Sequence, residues 1–227
     1  MTYVMSDLHG CYDKYIGILN KINFSRNDTL YILGDIVDRG TDGIKIILDI
    51  IKRKNVISLL GNHEYEASTL FHGLSMPYDD SKAKEFIKAF RLWLSDGGHP
   101  TYQCYKRLTD KDKNAVVSYM FLMPEFEEIT ISNKKYFLSH TVPEKAAMLD
   151  FDNCGTFDFI LGEPEYGKVY FNDTVIITGH TPTELINKTS KGKIWRGNNH
   201  IALDCGAVFG NPLGCLCLET NEEFYSE

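Results

Sequence analysis

Gly34-Asp35-Ile36-Val37-Asp38-Arg39-Gly40 follows directly on the apolar run Thr29–Leu33. A β-branched and aliphatic run ending in Gly-Asp reads as a buried strand that releases its carboxylate at its C-terminal edge. In open α/β sheets that edge is where ligands bind. Two glycines bracket two aspartates and an arginine, so charge is concentrated where the backbone turns sharply. Standing alone, the segment reads equally well as a polar turn in which Arg39 pairs with a neighbouring carboxylate such as Asp42.

The chain on either side repeats the pattern. Tyr3-Val4-Met5 is a short strand ending in Ser6-Asp7-Leu8-His9-Gly10, followed by a helix from about Tyr12 to Asn20. Ile44, Ile47, Leu48 and Ile51 mark a second helix by their spacing. Strand Val56–Leu60 then ends in Gly61-Asn62-His63-Glu64. The implied βαβαβ unit brings three polar clusters to one edge of a parallel sheet.

From Glu64 to about Met123 the pattern is a helical elaboration. Ala83, Phe86, Ile87, Phe90, Trp93 and Leu94 form an apolar stripe that reads as core packing, ended by Gly97-Gly98 and Pro100. A further helix after Thr109-Asp110 carries Val116, Val117, Met120 and Phe121, and Pro77-Tyr78-Asp79-Asp80 reads as an exposed loop. Beyond Pro124 come strands Phe126–Ile131, Tyr136–Ser139 and Thr174–Thr178. The last two end in His140-Thr141 and Gly179-His180-Thr181-Pro182, with a loop-rich segment to Asn172 between them. Short strands follow at Ile194–Arg196, Ile201–Asp204, Leu213–Glu219 and Glu223–Tyr225. With no repeat and no linker, one domain over residues 1–227 is expected.

A chain of 227 residues, 43% hydrophobic and 24% charged, has the makings of one substantial core. A net charge of −7 without a basic run argues against a nucleic-acid polymer or an acidic membrane as partner. The six cysteines show no paired CxxC spacing and read as reduced thiols, with Cys215 and Cys217 on one face of a strand. No apolar run reaches membrane-spanning length, and a candidate site residue at Asp7 leaves no room for a cleaved leader. A cytoplasmic protein is expected.

Asp7, His9, Asp35, Asn62, His140 and His180 stand at the ends of five strands. Mixed carboxylate, amide and imidazole ligands suit borderline divalent ions, Mn²⁺ first, then Fe²⁺ or Zn²⁺. The set is too large for one tetrahedral site. It suits two ions, roughly 3.5–4 Å apart, sharing a carboxylate. Such ions would neutralise the crowded Asp7 and Asp35, favour an anionic substrate and lower the pKa of a bound water. A metal-bridging hydroxide is then the expected nucleophile for in-line attack on phosphorus. Arg39 offers a planar fork to phosphate oxygens, and Asn62 is a second candidate substrate contact. His63 is the candidate general acid, with Asp38 orienting it and keeping it protonated. Taken singly, His140 and His180 could be structural and Asp7 or Asn62 could cap helices. Joint placement beside glycines at so many strand ends decides for the site. His72, His99 and His200 lack that context and read as structural.

The five motifs, Ser6–Gly10, Gly34–Gly40, Gly61–Glu64, His140 and Gly179–Pro182, occur in the order of the calcineurin-like metallophosphoesterases, which this chain resembles from Asp7 to about Gly210. The Gly-Asp-Ile-Val-Asp-Arg-Gly form is similar to that of the phosphoprotein phosphatase branch. The compact size is similar to that of the bacterial and phage-lambda-type serine/threonine protein phosphatases. The resemblance implies an α/β (α+β) fold, a two-sheet β-sandwich flanked by helices. It implies a first metal on Asp7, His9 and Asp35, and a second on Asp35, Asn62, His140 and His180. It also implies an acid pair of His63 and Asp38, with Arg39 as phosphate clamp. Two departures stand out. Ser6 occupies a position usually held by glycine. No arginine lies between His140 and His180, where the branch carries a second one, so Lys145, Lys168 or Arg196 would have to stand in.

A serine/threonine-type protein phosphatase acting on a phosphorylated protein is therefore the first expectation. The alternative is a symmetrical bis(5'-nucleosyl)-tetraphosphate (diadenosine tetraphosphate) hydrolase acting on a small phosphoester or dinucleotide. That family shares these motifs and an ending similar to Leu203-Asp204-Cys205-Gly206-Ala207-Val208-Phe209-Gly210. A non-catalytic binding module would have lost ligands or the acid, and here all are present.

Overall fold

The structure, a computed structural model, describes residues 1–77, 80–143 and 153–226. Its strands are β1 (Thr2–Met5), β2 (Thr29–Ile32), β3 (Val56–Ser58), β4 (Phe126–Ile131), β5 (Lys134–Ser139), β6 (Thr174–Thr178), β7 (Trp195–Gly197), β8 (His200–Ala202), β9 (Leu213–Cys217) and β10 (Glu223–Ser226). They form two mixed sheets in the orders β10-β9-β1-β2-β3 and β4-β5-β6-β8-β7. In the first, β1, β2 and β3 are parallel, joined by helices α1 (Tyr12–Lys21) and α2 (Gly43–Ile50). In the second, β5, β6 and β8 are parallel.

Alternation along the strands builds the sandwich. Val4 turns to a core shared with Leu33, Leu59, Tyr136, Leu138, Ile177 and Leu203, between the sheets. Tyr3 and Met5 turn the other way, towards Ile18, Ile47 and Phe71 of the helical layer. Phe137 faces outward from the second sheet onto Phe159 and Ile176. Cys215 and Cys217 share the helix-facing side of β9 as small apolar groups, and among the described residues no disulfide forms.

The parallel strands of each sheet end at one edge, and the two edges meet. The Asp7 amide donates to the Gly34 carbonyl within the first sheet, and the Gly179 amide to the His140 carbonyl within the second. Between sheets, His140 Nδ1–H donates to the Leu33 carbonyl at 2.7 Å. The sheet edges thus bring all five polar strand ends into one place.

The elaboration differs in detail from the sequence reading. Helix α3 (Asn62–Leu74) begins at Asn62 itself. Helix α4 (Asp80–Trp93) is not ended by the glycines: it passes through a π-type turn, Leu94–Gly98, into α5 (His99–Lys106). Gly97 takes φ 109° to make the bend, and Pro100 sits in the first turn of α5, where a missing N–H costs nothing. Asp80 opens α4 rather than continuing a loop; Tyr78 and Asp79 lie outside the described residues. Helix α6 spans Asp110–Phe121, capped by the Thr109 hydroxyl. Ile87, read as core, is 47% exposed. A short helix, α7 (Thr156–Ile160), occurs within the segment read as loop-rich, and another, α8 (Thr183–Ile186), follows the last histidine motif. Among the described residues no helix is long and apolar enough to cross a membrane.

Gly34 lies where the two sheet edges approach each other closely. At φ 81°, a Cβ there would lie 2.7 Å from Gly61 Cα and 2.9 Å from His140 Nδ1. Gly34→Ala is expected to cost about 2 kcal/mol or more, the left-handed penalty plus the clash. A fall in the denaturant midpoint checks it.

Candidate active site

The site is built from strained turns. Twelve non-glycine residues among those described have positive φ, and six of them are Asp7, His9, Asp35, Asp38, Arg39 and His180. The other six are five asparagines and Ser132. Asparagine tolerates that region in ordinary turns; histidine and arginine seldom do, and such strain collects at functional sites.

Asp35 sits at the centre, 2% exposed. Its Oδ2 lies 3.5 Å from His9 Nε2 and 3.9 Å from His63 Nε2, while Oδ1 lies 3.4 Å from His140 Nε2. Two donor groups therefore share this one carboxylate: His9, Asp35 and His63 on one side, Asp35, His140 and His180 on the other. Asn62 Oδ1 joins the second group, 3.0 Å from His140 Nε2. Asp7 stands apart from both groups. Its carboxylate accepts the Ser6 hydroxyl at 2.5 Å and the His180 amide at 3.0 and 3.2 Å. Ser6, the departure from the expected glycine, thus engages the carboxylate it precedes.

The donor chemistry fits cations. His9 Nδ1 donates to the Val37 carbonyl at 2.9 Å and His140 Nδ1 to that of Leu33, so each Nε2 carries a lone pair aimed inward. His140 Nε2 then faces Asn62 Oδ1 and, at 3.0 Å, His180 Nδ1. Acceptors converging this closely repel unless a positive centre lies among them. Burial pushes His9 and His180 down to about 4 and His140 down as well, so the rings are neutral, the state that ligates metal. Burial, with Asp204 and Asp35 nearby, pushes Asp7 well up. Burial also opposes ionisation of Asp35, but the surrounding imidazoles, His140 first, more than offset it and hold it well below the usual carboxylate range.

His63 and Asp38 meet. His63 Nδ1 and Asp38 Oδ2 are 2.8 Å apart. Burial lowers the His63 pKa, but Asp35 and Asp38 outweigh it and raise it to about 9. Asp38 is held from the helical elaboration: Trp93 Nε1–H donates to its Oδ2 at 2.8 Å, and its amide donates to Thr101 Oγ1 at 2.8 Å. The Arg39 amide donates to the Gly97 carbonyl of the π-type turn. Arg39 does not pair with Asp42; its guanidinium contacts His9 Nε2 and lies 5.7 Å from the Phe209 ring centroid. Of the cations considered for the missing arginine, Lys168 pairs with Glu165 and Arg196 with Glu223, while Lys145 lies outside the described residues. His72 and His99 are exposed, and His200 is buried against Tyr166 with Nε2 on Thr178.

Two residues were quoted in motifs without being assigned work. Glu64 is fully buried; its Oε2 accepts the amides of Asp35 and Gly61, and its Oε1 those of Ile36 and Val37. Burial, then Asp35, raises it to about 7, against the amides that favour the carboxylate. Asp204, at the end of β8, is a buried carboxylate accepting the Gly206 amide at 2.8 Å and raised by burial to about 6. The signal that found the other residues, a polar group beside glycine at a strand end, was weaker for it, since Gly206 stands two positions on.

Comparison with known proteins gives the family and agrees with the fold. The family model for calcineurin-like phosphoesterases matches residues 2–211. A symmetrical bis(5'-nucleosyl)-tetraphosphatase of Wigglesworthia glossinidia brevipalpis is 29% identical over 142 residues, 59% of this chain and 50% of that protein. The chain thus spans about half the length of such curated relatives. Among solved structures, a candidate diadenosine tetraphosphatase superposes with a TM-score of 0.68 at 17% identity, over 99% of this chain and 91% of the other. A protein serine/threonine phosphatase from Saccharomyces cerevisiae gives 0.62 at 15%, over 100% and 79%. At such identities the superpositions speak for the fold alone, a two-sheet sandwich flanked by helices.

Glu64→Gln would turn an NH₂ group towards two backbone donors. The expected loss is about 1–3 kcal/mol, with turnover falling as the Asp35 turn loosens. Thermal unfolding together with phosphomonoester assays checks it. Trp93→Phe removes one hydrogen bond to Asp38 at nearly constant packing, and kcat is expected to fall about tenfold with the fold intact by circular dichroism.

Proposed function

The chain belongs to the calcineurin-like phosphoesterase family, and from that premise we propose that it cleaves dinucleoside polyphosphates symmetrically, with two divalent ions around Asp35. It is a phosphoester hydrolase by family. The observation that carries the finer reading is its similarity to symmetrical bis(5'-nucleosyl)-tetraphosphatases. The ending Leu203–Gly210 and the lack of an arginine from His140 to His180 point the same way. The protein-phosphatase expectation, placed first on sequence, yields to this alternative.

The two-sided approach of histidines to Asp35 supports a dinuclear centre, for which Mn²⁺ is the proposed metal. Asp7, His9 and Asp35 would hold one ion, and Asp35, Asn62, His140 and His180 the other, which leaves His63 free for the proton. When bound, the pair supplies Lewis acidity towards phosphoryl oxygen and a water of lowered pKa. The chain's own residues supply orientation and a proton. Arg39 would turn its fork from His9 to phosphate oxygens, with Asn62 beside it. His63, its Nδ1–H committed to Asp38 and its Nε2 facing the centre, would protonate the leaving phosphate oxygen.

Diadenosine tetraphosphate with Mn²⁺ is expected to give ADP as the sole nucleotide product by ion-exchange chromatography. Faster release of phosphate from a phosphoserine peptide would reverse the ranking. His63→Asn is expected to lower kcat about 10²–10⁴-fold. Asp35→Asn is expected to abolish both turnover and calorimetrically measured Mn²⁺ binding. Chelator dialysis should abolish turnover, with recovery on adding Mn²⁺.

A further inference from the structure

A cleft of about 420 Å³ opens from Asn62 between α3, the π-type turn and α7. That volume is ordinary for a small-molecule site. Its walls include Tyr65, Glu66, Asp96, Phe157 and Leu161. Tyr65 and Phe157 meet edge to face, 5.1 Å between centroids at 69°. Phe157 and Leu161 are 56% and 50% exposed, although they stand beside the polar centre. Exposed apolar surface lining a groove is a mark of ligand contact. The cleft at His180, about 390 Å³, offers less: its ring, Tyr166, is already stacked on His200 at 27°.

We propose that the Asn62 cleft is a base-binding subsite, taking the purine of a nucleotide whose phosphates reach the Asp35 centre. The proposal rests on the dinucleotide reading above. Charge sets the direction of the ligand. Glu66 and Asp96 repel phosphate, so the phosphates lie at the metal end and an uncharged ring enters the cleft. Both carboxylates accept hydrogen bonds and neither donates, so they select a base carrying an amino group over one carrying a carbonyl there. The ring of Phe157 supplies a stacking face, a contact indifferent to the base's substituents. Adenine meets these requirements; hypoxanthine, with a carbonyl in place of the amino group, does not.

The test is calorimetric titration of the Mn²⁺-loaded protein with ADP and with IDP. ADP is expected to bind about tenfold or more tighter. Glu66→Gln and Asp96→Asn should shrink that ratio, because an amide can donate to the hypoxanthine carbonyl. Phe157→Ala should weaken both ligands about tenfold and leave their ratio unchanged. All three variants should hydrolyse glycerol phosphate as the parent does. Equal binding of ADP and IDP by the parent overturns the proposal. So does slower hydrolysis of an arginine-flanked phosphoserine peptide in the Glu66 and Asp96 variants with an unchanged ADP-to-IDP ratio, which would make the cleft a peptide subsite. An intact ADP preference without cleavage of diadenosine tetraphosphate supports the cleft and overturns symmetrical hydrolysis instead.

Discussion

The buried carboxylate of Glu64 holds the turn on which the candidate site depends. It gathers the amides of Gly61, Asp35, Ile36 and Val37, tying the end of β2 to the start of α3. Four donors in a strained turn would otherwise lie buried without partners, at a cost of roughly 1–3 kcal/mol each. With the turn fixed, both oxygens of Asp35 are fixed, and so is the division of the histidines into two groups. The Leu33 and Val37 carbonyls of the same connection then set the tautomers of His140 and His9.

Strain and support are distributed unevenly. Six of the residues at positive φ have side chains that converge on the site, and three of these are held from different elements. His180 is anchored by its amide on Asp7, Arg39 by its amide on Gly97, and Asp38 by Trp93 and Thr101. The helical elaboration is therefore more than an appendage. It packs Trp93 into the core and uses the same ring to hold the partner of the candidate acid, while Gly97 bends the chain against Arg39.

Charge follows from this packing. Asp7, Asp35, Glu64 and Asp204 are buried within one region, beside rings left neutral by their surroundings. An excess of donors around one shared carboxylate is what a family with a dinuclear metal site would use. The acidic cleft beside Asn62 extends the logic outward: phosphate is drawn to the centre and turned away from Glu66 and Asp96.

Most of the site was legible from local pattern. Asp7, His9, Asp35, Asn62, His63, His140 and His180 could be picked out because a parallel strand must end in a turn, and Gly-flanked polar residues at that turn have little structural reason to recur. Asp38 with His63 was legible from motif spacing. Glu64 and Asp204 were visible in the same motifs but not assigned, because local pattern does not say which acid faces a ligand and which faces backbone amides. The hydrogen bond from Trp93 to Asp38 spans 55 positions, and helical periodicity reports only that Trp93 is apolar-facing. Likewise, the spacing that predicted a stop at Gly97-Gly98 could not foresee a bend whose carbonyl receives Arg39. The strand ends, the candidate donor residues and the family depend on neighbours along the chain and could be read from it directly. Which oxygen of Asp35 meets which histidine, where Asp7 points and what holds Asp38 depend on how two sheet edges and a distant helix pack together, so they emerge only in three dimensions.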